Sequence, residues 1–352
     1  MRPLARTGVT IAVAVLAVAA GFAGGWIARG AANGAVGPDR TLTLIAAGSL
    51  SPPDLLPAFA SAWANRTPGV SAPLAAQSYT GSAAAAEQIV AAGNASPFDL
   101  FVSADFRVIP KLLAGAQPPA AAGEVVFGSD PLILAYDPAA MPNVSAANWP
   151  QALLGPGVVL GVPNASADPL GANVIFALEL EDAAGGYGDA LYSRFFTGTP
   201  GGFAGITAHA RYVPETDAAL ALATGEVSAY ITYASYARVD HLAYVPLPPS
   251  VNLGGTSEAW AAAYASASTT VLSGGAPVVE RGAPALFALT VPVHAPDPSL
   301  GEAFAAWLLS AGEAPAWEAN GFLLPPSPWA WGSVPYLPPG SAPLPPYLAA
   351  LV

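Results

Sequence analysis

The stretch Leu44-Ile45-Ala46-Ala47-Gly48-Ser49-Leu50-Ser51-Pro52-Pro53 decides the fold class, because an apolar run stops there abruptly at a glycine and a serine. The apolar residues predict a short buried strand over 41–46, and the prolines predict a helix that begins near residues 52–55. Gly48 permits a tight turn, and Ser49 or Ser51 is the expected N-cap. Such a junction presents a hydroxyl and unpaired amides to an anion. The alternative is a plain helix cap without a ligand.

A second junction of this kind occurs at Gly81-Ser82, before an alanine-rich stretch that predicts a helix over 83–92. Residues 70–76 predict a second strand, 77–82 its loop, and Ser82 the N-cap of the helix. Because parallel strands end at one edge of a sheet, we expect both serines at that edge. Open α/β sheets bind their ligands there.

Two later stretches also place polar groups at the ends of elements. The loop 163–171 contains Asp168 and Leu170, just before a helix predicted over 172–180, and a strand predicted over 227–233 ends in Thr232-Tyr233. Hydroxyls, helix-start amides and a carboxylate from both halves would surround one cleft, which suits a small oxyanion. The structural alternatives are Asp168 as an N-cap alone, and Thr232 and Tyr233 as packed strand residues.

The apolar run 125–136 predicts a crossing between two lobes, because Gly128-Ser129-Asp130-Pro131 interrupts it. We therefore predict an α/β chain whose lobes are mixed sheets flanked by helices. The predicted divisions are a signal-anchor or signal peptide at 1–30, a tether at 31–40, a first lobe of 41–128 plus 294–330, a second lobe of 129–293, and a proline-rich extended surface segment at 331–352.

The N-terminal segment has the pattern of a membrane anchor. Arg2 and Arg6 precede a stretch without charged residues, 7–28, which as a helix would reach roughly 33 Å, enough to cross a bilayer. We therefore favour an uncleaved anchor, with the body outside the cell, over a signal peptide cut near 32–35. The chain contains no cysteine, so a lipid anchor on cysteine is excluded and the exported body relies on its core alone.

Charge and composition exclude several classes of function. The formal net charge is −12, and Lys111 is the sole lysine, so the chain is not a nucleic-acid binder and would hold an anion by neutral donors.

The histidines have no spacing typical of metal ligands. A serine hydrolase is disfavoured because Gly254-Gly255-Thr256-Ser257 lacks the strand-to-helix context of a nucleophile elbow. A surface-layer protein is disfavoured because internal repeats are absent from the sequence.

Several stretches follow one another with a family-like order and spacing: Ala-Ala-Gly-Ser-Leu (46–50), Phe-Asp-Leu-Phe-Val-Ser-Ala-Asp-Phe-Arg-Val-Ile-Pro (98–110), Ala-Asp-Pro-Leu-Gly (167–171), Leu-Ala-Thr-Gly-Glu (222–226), Tyr-Ala-Ser-Tyr-Ala (233–237) and Leu-Pro-Pro-Ser-Val-Asn-Leu-Gly (247–254). Together, over about residues 41–350, they resemble the molybdate/tungstate-binding proteins of ABC importers, in particular the archaeal type. The resemblance implies a two-lobe periplasmic-binding-protein fold of type II, joined by a two-strand hinge. It further implies a monomeric, extracytoplasmic binding protein that is not an enzyme. Its ligand, rather than a cofactor, is the oxyanion, and its partners are a permease and an ATPase.

Carried over by position, the resemblance assigns roles to the candidate residues. Ser49 and Ser82 donate hydroxyl and amide hydrogen bonds, Leu170 a backbone N–H, and Tyr233 its phenol. In the archaeal type, two carboxylates approach the metal of the oxyanion and raise it from four to six oxygen ligands. Asp168 matches the first carboxylate, so it is a possible direct ligand to molybdenum or tungsten, whereas Thr232 stands where the second, a glutamate, is expected.

This departure from the family pattern changes the expected chemistry of the bound ligand. With one carboxylate, we expect a tetrahedral or five-coordinate oxyanion, with Thr232 donating a hydrogen bond to it. Alternatively, Asp168 accepts a proton from an oxyanion such as hydrogen phosphate, and the ligand is then phosphate or another small anion such as sulfate.

Overall fold

The computed structural model describes residues 40–273 and 275–352. The predicted signal or anchor at 1–30, including the apolar stretch 7–28, therefore lies outside the described residues. Among those that are described, no helix combines the length and the apolar character needed to cross a bilayer.

The strands are, in chain order, β1 Arg40–Thr41, β2 Leu44–Ala47, β3 Val70–Ser71, β4 Gln77–Thr80, β5 Leu100–Ser103, β6 Gly123–Ser129, β7 Leu132–Tyr136, β8 Leu160–Val162, β9 Phe196–Thr197, β10 Gly205–Ile206, β11 Ala210–Tyr212, β12 Ala229–Tyr233, β13 Tyr244–Pro246, β14 Ser268–Ser273, β15 Ala276–Arg281, β16 Leu286–Thr290, β17 Trp329–Gly332 and β18 Ala342–Pro343. The α-helices are α1 Leu56–Arg66, α2 Ser82–Ala92, α3 Trp149–Leu153, α4 Pro169–Gly185, α5 Ala190–Phe195, α6 Ala218–Ala223, α7 Ala234–Val239, α8 Glu258–Tyr264, α9 Pro298–Leu308, α10 Ala314–Ala319 and α11 Pro346–Ala349.

Two mixed sheets carry the fold. Of the described strands, seven form one sheet in the order β18-β17-β6-β16-β5-β2-β4, and five form the other in the order β11-β8-β12-β7-β13. The chain passes from the first sheet to the second between β6 and β7, at Asp130-Pro131, and returns between β13 and β16. The predicted two-lobe α/β fold is therefore confirmed, and the passage between β6 and β7 lies within the interrupted run 125–136.

Each sheet brings the carboxyl ends of three strands to one edge. In the first sheet β2 lies between β4 and β5 and is parallel to both. In the second sheet β8 lies between β11 and β12 and is again parallel to both. The residues that end or follow these six strands are therefore gathered at two sheet edges, and they include every candidate site residue.

Burial in the apolar core stabilises the short strands of the first sheet. All four residues of β2 are buried, as expected for a central strand covered on both faces. On one side of the first sheet, α1 packs its aromatic face against α9 and α10; Phe59 stacks on Trp317 with 4.6 Å between ring centroids. The C-terminal aromatics are also covered, since Tyr336 is buried and its hydroxyl accepts from the N–H of Val291 at 3.1 Å.

Several sequence-based boundaries differ from the structure. Residues 77–80, predicted as loop, form edge strand β4, because their half-buried side chains pair with β2 rather than with a local turn. The predicted second lobe, 129–293, includes β16, which in the structure pairs with β5 and β6 in the first sheet. The predicted surface segment 331–352 also differs, since it contributes to β17 and β18 of that sheet.

Candidate functional site

Ser49 lies in a 3-10 turn, Gly48–Leu50, that directly follows β2. The next helix, α1, has Leu55 as its N-cap residue and no side-chain cap, so the predicted capping role of Ser49 or Ser51 was wrong. Ser49 is fully buried, and its hydroxyl has no hydrogen-bond partner among the described residues. A buried hydroxyl without a partner costs free energy. Such a group is available to donate to a ligand oxygen.

Ser82 is the first residue of α2, and Gly81 rather than Ser82 occupies the N-cap position. The Ser82 hydroxyl oxygen accepts a hydrogen bond from the N–H of Ala104, just after β5, at 3.0 Å. Because a hydroxyl that accepts one bond still carries its own proton, Ser82 can also donate. Like Ser49, it is fully buried.

The start of α2 touches the other lobe. The N–H of Ala84 donates to the carbonyl oxygen of Ala167, in the loop before α4, at 3.2 Å. Gly81 packs so closely against this loop that a Cβ placed there would lie 2.8 Å from Cβ of Asp168 and would overlap the Ala167 carbonyl oxygen. The two lobes are therefore closed on each other at this point.

Asp168 is the N-cap residue of α4, and its carboxylate accepts the N–H of Leu170 at 3.0 Å. The Leu170 amide, expected to donate to the oxyanion, is thus engaged by Asp168. Burial raises the pKa of Asp168 to about 6, and the hydrogen bond from Leu170 opposes part of that rise. Pro169 at the first helical position helps to start α4 earlier than the predicted residue 172.

Thr232 and Tyr233 end β12 and are both fully buried. The Tyr233 hydroxyl accepts a hydrogen bond from the side-chain amide of Asn173, the fifth residue of α4, at 3.1 Å. Burial, and then the nearby carboxyl groups, raise the pKa of Tyr233 well above its ordinary value. The phenol therefore keeps its proton at neutral pH and is a donor. The Thr232 hydroxyl donates to Oε1 of Glu215 at 3.0 Å.

Glu215 is the residue that the sequence analysis missed. It lies in a 3-10 turn, Glu215–Asp217, three residues beyond the end of β11, and only 2% of it is exposed. Burial, followed by the charge of Asp168, raises the pKa of Glu215 well above its ordinary value, although hydrogen bonds from Thr232 and from the N–H of Ser49 lower it in part. The signal that could have found it is the short strand β11, which places residue 215 at the same sheet edge as Asp168.

The two buried carboxyl groups have no cation beside them. Among the ion pairs of the described residues, none includes Asp168 or Glu215. The buried Arg107 is already paired with Asp105 at 2.7 Å and with Glu280 at 3.3 Å. In the described part of the chain, no group of three or more histidine, aspartate or glutamate side chains is arranged to hold a metal ion. The cluster consists of hydroxyl donors and two carboxyl groups, which suits a small, oxygen-rich ligand.

Comparisons with known proteins identify the family of the chain. The model of the family described as bacterial extracellular solute-binding protein matches residues 42–323. A putative ABC transporter molybdenum-binding protein of Haloferax volcanii is 33% identical over 167 residues, which cover 47% of this chain and 49% of that protein. An uncharacterized solute-binding protein of Petrotoga mobilis is 28% identical over 225 residues, 63% of this chain and 67% of that protein.

A solved structure shares the fold. The periplasmic molybdate-binding protein of Azotobacter vinelandii aligns with a TM-score of 0.55 over 81% of this chain and 99% of its own, at 16% identity. At that level of identity the likeness concerns the architecture of two lobes around a cleft.

Proposed function

The chain belongs to the family of bacterial extracellular solute-binding proteins, and from that premise we propose that it captures molybdate or tungstate outside the cell for an ABC importer. As a member of this family it binds a solute and is not an enzyme. The oxyanion is therefore the ligand that is carried, and no cofactor is required. The Haloferax and Azotobacter proteins, both named for molybdenum or molybdate, support this class of ligand.

The observation that carries the proposal is the buried, unpartnered hydroxyl of Ser49 at the closed meeting point of the lobes. The buried hydroxyls of Ser82 and Tyr233, at strand ends of the two sheets, also carry protons, and each is oriented by a bond that it accepts from a neighbour. Neutral donors of this kind bind a dehydrated oxyanion without a cation. Asp168, at the N-cap of α4, packs against Gly81 where the lobes meet.

In this proposal the lobes close on the oxyanion and open when the protein meets the permease, which works with an ATPase. Hinge closure of two lobes around a fixed site is the usual way in which such a fold holds and releases a ligand. The protein acts as a monomer at the extracytoplasmic face of the membrane, held by residues 7–28 if they stay attached.

Calorimetric titration of the full-length protein with molybdate, tungstate, sulfate and phosphate in turn tests the proposal. We expect one-to-one binding of molybdate and tungstate, with sulfate and phosphate much weaker. Binding of phosphate or sulfate alone would be consistent with an oxyanion-binding protein but would contradict molybdate or tungstate as its ligand. Absence of binding for all four anions would reject an oxyanion site.

A further inference from the structure

Four asparagines of the chain begin the pattern Asn-x-Ser/Thr, with x other than proline: Asn65, Asn94, Asn143 and Asn164. Asparagine in this pattern accepts N-linked oligosaccharides in exported proteins. Of the eight asparagines that the structure describes, these four are exposed, and the other four are buried or partly buried. The pattern therefore coincides with the surface, where a bulky hydrophilic group can be attached without entering the core.

The hydroxyl residue of the pattern separates the four candidates. Because the pattern is defined by this residue as well as by the asparagine, a folded acceptor must present both. In three of the four, the fold withdraws the hydroxyl residue: Thr67 and Ser166 are partly buried, and Ser96 is 4% exposed. Thr67 also donates to the carbonyl oxygen of Trp63 at 2.9 Å, and Ser166 accepts the N–H of Leu272 at 3.0 Å.

The remaining candidate presents both residues. Asn143 and Ser145 are exposed and lie in the loop 137–148 between β7 and α3. Asn148 fixes this loop from within. Its side-chain amide donates to the carbonyl oxygen of Asn143 at 3.0 Å, and its Oδ1 accepts the N–H of Ser145 at 2.7 Å and the Ser145 hydroxyl at 3.0 Å. The hydrogen bonds found in the described residues leave the side-chain amide of Asn143 free to react.

The surroundings of this loop have room for a bulky group. An open groove of about 380 Å³ runs beside the loop, lined by residues within 140–144 and 148–158. Apolar side chains such as Val144 and Pro156 form part of the lining, and the amides of Asn143, Asn148 and Gln151 lie among them. Sugar rings combine an apolar face with hydroxyls, which amide groups bond as donors and acceptors. The first sugars can therefore lie in the groove without displacing protein.

The loop is also remote from the candidate ligand site. β7 is antiparallel to β12, with Tyr136 opposite Ala229 and Leu132 opposite Tyr233. The loop thus leaves the second sheet at the edge away from Tyr233, about 13 Å along the strand from that residue. Asn164, by contrast, follows β8 at the same edge as the candidate site. An oligosaccharide on the loop would leave the cleft free, whereas one on Asn164 would crowd it.

We propose that Asn143 carries an N-linked oligosaccharide, attached outside the cytoplasm after the chain has folded. Nδ2 of Asn143 bonds to C1 of the first sugar of a lipid-linked oligosaccharide. The bond from C1 to the phosphate oxygen of the lipid breaks, the lipid phosphate leaves, and Nδ2 gives up one proton. This inference goes beyond the proposed function and holds whichever solute the protein binds, because it needs only the extracellular location of the family.

Mass spectrometry of the full-length protein, purified from the organism that produces it, tests the site. Chymotrypsin is the protease to use, because no lysine or arginine lies between Asn143 and Asn164 and trypsin would leave both on one peptide. We expect the peptide of Asn143 to carry the mass of an oligosaccharide, with fragments that differ by single sugars. The peptides of Asn65, Asn94 and Asn164 should have their unmodified mass. An unmodified Asn143 would overturn the proposal, whatever is found on the other three.

Variants produced in the same cells separate recognition of the pattern from exposure alone. Ser145→Ala leaves Asn143 exposed but removes the pattern, so the oligosaccharide should be lost from all molecules, whereas Ser145→Thr should retain it. Asn65→Gln is the matched control, because it removes another exposed asparagine of the same pattern; the mass of the attached oligosaccharide should not change. Retention of the oligosaccharide in Ser145→Ala would contradict its attachment through this pattern.

A last experiment tests attachment after folding. The folded full-length protein, made in a host without N-glycosylation, is incubated with membranes of the producing organism, which supply the transferring enzyme and the lipid-linked oligosaccharide. We expect a gain of one oligosaccharide, on Asn143. No gain in mass would overturn attachment to the folded chain, and attachment at Asn65, Asn94 or Asn164 would overturn selection by the exposure of the hydroxyl residue.

Discussion

At the scale of single residues, Ser49 gives a direct test because its buried hydroxyl has no partner among the described residues. If it donates to a ligand oxygen, Ser49→Ala should weaken molybdate binding by about 1–3 kcal/mol, the usual loss for a buried hydrogen bond. Calorimetric titration measures this loss. Ser96→Ala is the control, since Ser96 is likewise buried and unpartnered but lies before β5. Equal affinity in the wild-type and Ser49→Ala proteins would remove Ser49 from the site.

The candidate site residues that were predicted from the sequence are those marked by a motif of adjacent residues. A glycine followed by a serine after an apolar run marked Ser49 and Ser82, and Asp168 before a proline marked the start of α4, where it does cap the helix. The exact partners depend on distant chain segments and were not predictable. Ser82 accepts from Ala104 instead of capping its helix. Glu215 reaches the cluster only because β11 pairs with β8, some fifty residues earlier in the chain.

At the scale of elements, the helix caps offer a matched pair of aspartates. Asp297 caps α9: its carboxylate accepts the N–H of Leu300 at 3.1 Å and also pairs with Arg40. Asp217 occupies the same position before α6 but makes no side-chain cap bond. Asp297→Ala should therefore lower the free energy of unfolding by about 0.5–2 kcal/mol, whereas Asp217→Ala should change it little. Denaturant unfolding measures both, and equal losses would contradict the assigned cap.

The same cap predicts a dependence on pH. The hydrogen bond from Arg40 is the main cause that lowers the pKa of Asp297; burial, the next largest effect, opposes it, and the hydrogen bonds from Ser299 and Leu300 lower the pKa further. A lowered pKa means that the ionised group stabilises the folded state at neutral pH and that this contribution is lost as the pH falls through the folded-state pKa. The difference between wild-type and Asp297→Ala proteins should therefore shrink in acid.

Elements with a strong local pattern were predicted and those that depend on pairing were missed. The alanine-rich α2, predicted over residues 83–92, is observed one residue earlier at its start and ends at the predicted residue. The half-buried edge strand β4 and the hairpin of β14 and β15 have no clear alternation of apolar and polar residues. Their backbone hydrogen bonds are made to partners that the local sequence does not specify.

At the scale of the whole molecule, the interrupted apolar run 125–136 indicated the passage between lobes, because Pro131 has no N–H to donate and a central strand does not continue through a proline. The second crossing was placed too late along the chain. The polar and proline-rich stretch 246–285 offered no comparable break, and the apolar residues of β16 suit either sheet. The division of a chain into lobes depends on which strands pair. Pairing between strands that are distant in the chain is difficult to predict from local sequence patterns.

Closure of the lobes depends on Gly81, and the last prediction concerns this contact. Gly81 has φ −58° and ψ 138°, a conformation open to any residue, so space rather than backbone geometry requires glycine. In Gly81→Ala the new Cβ would meet Ala167 and Asp168 across the cleft. The closed state should become rarer, and the apparent affinity for molybdate should fall in proportion, by about tenfold if the closed fraction falls tenfold.

Stability should change far less than affinity in this variant, because alanine at an N-cap costs the helix only about 1 kcal/mol and the overlap disappears when the lobes open. Gly312→Ala is the control, since the nearest atom to its new Cβ would be the Ser310 hydroxyl oxygen at 3.8 Å. Small-angle scattering at a molybdate concentration that half-saturates the wild-type protein should show less compaction of Gly81→Ala than of the wild-type and Gly312→Ala proteins. Wild-type affinity together with full compaction in Gly81→Ala would show that the lobes close around the ligand without this contact.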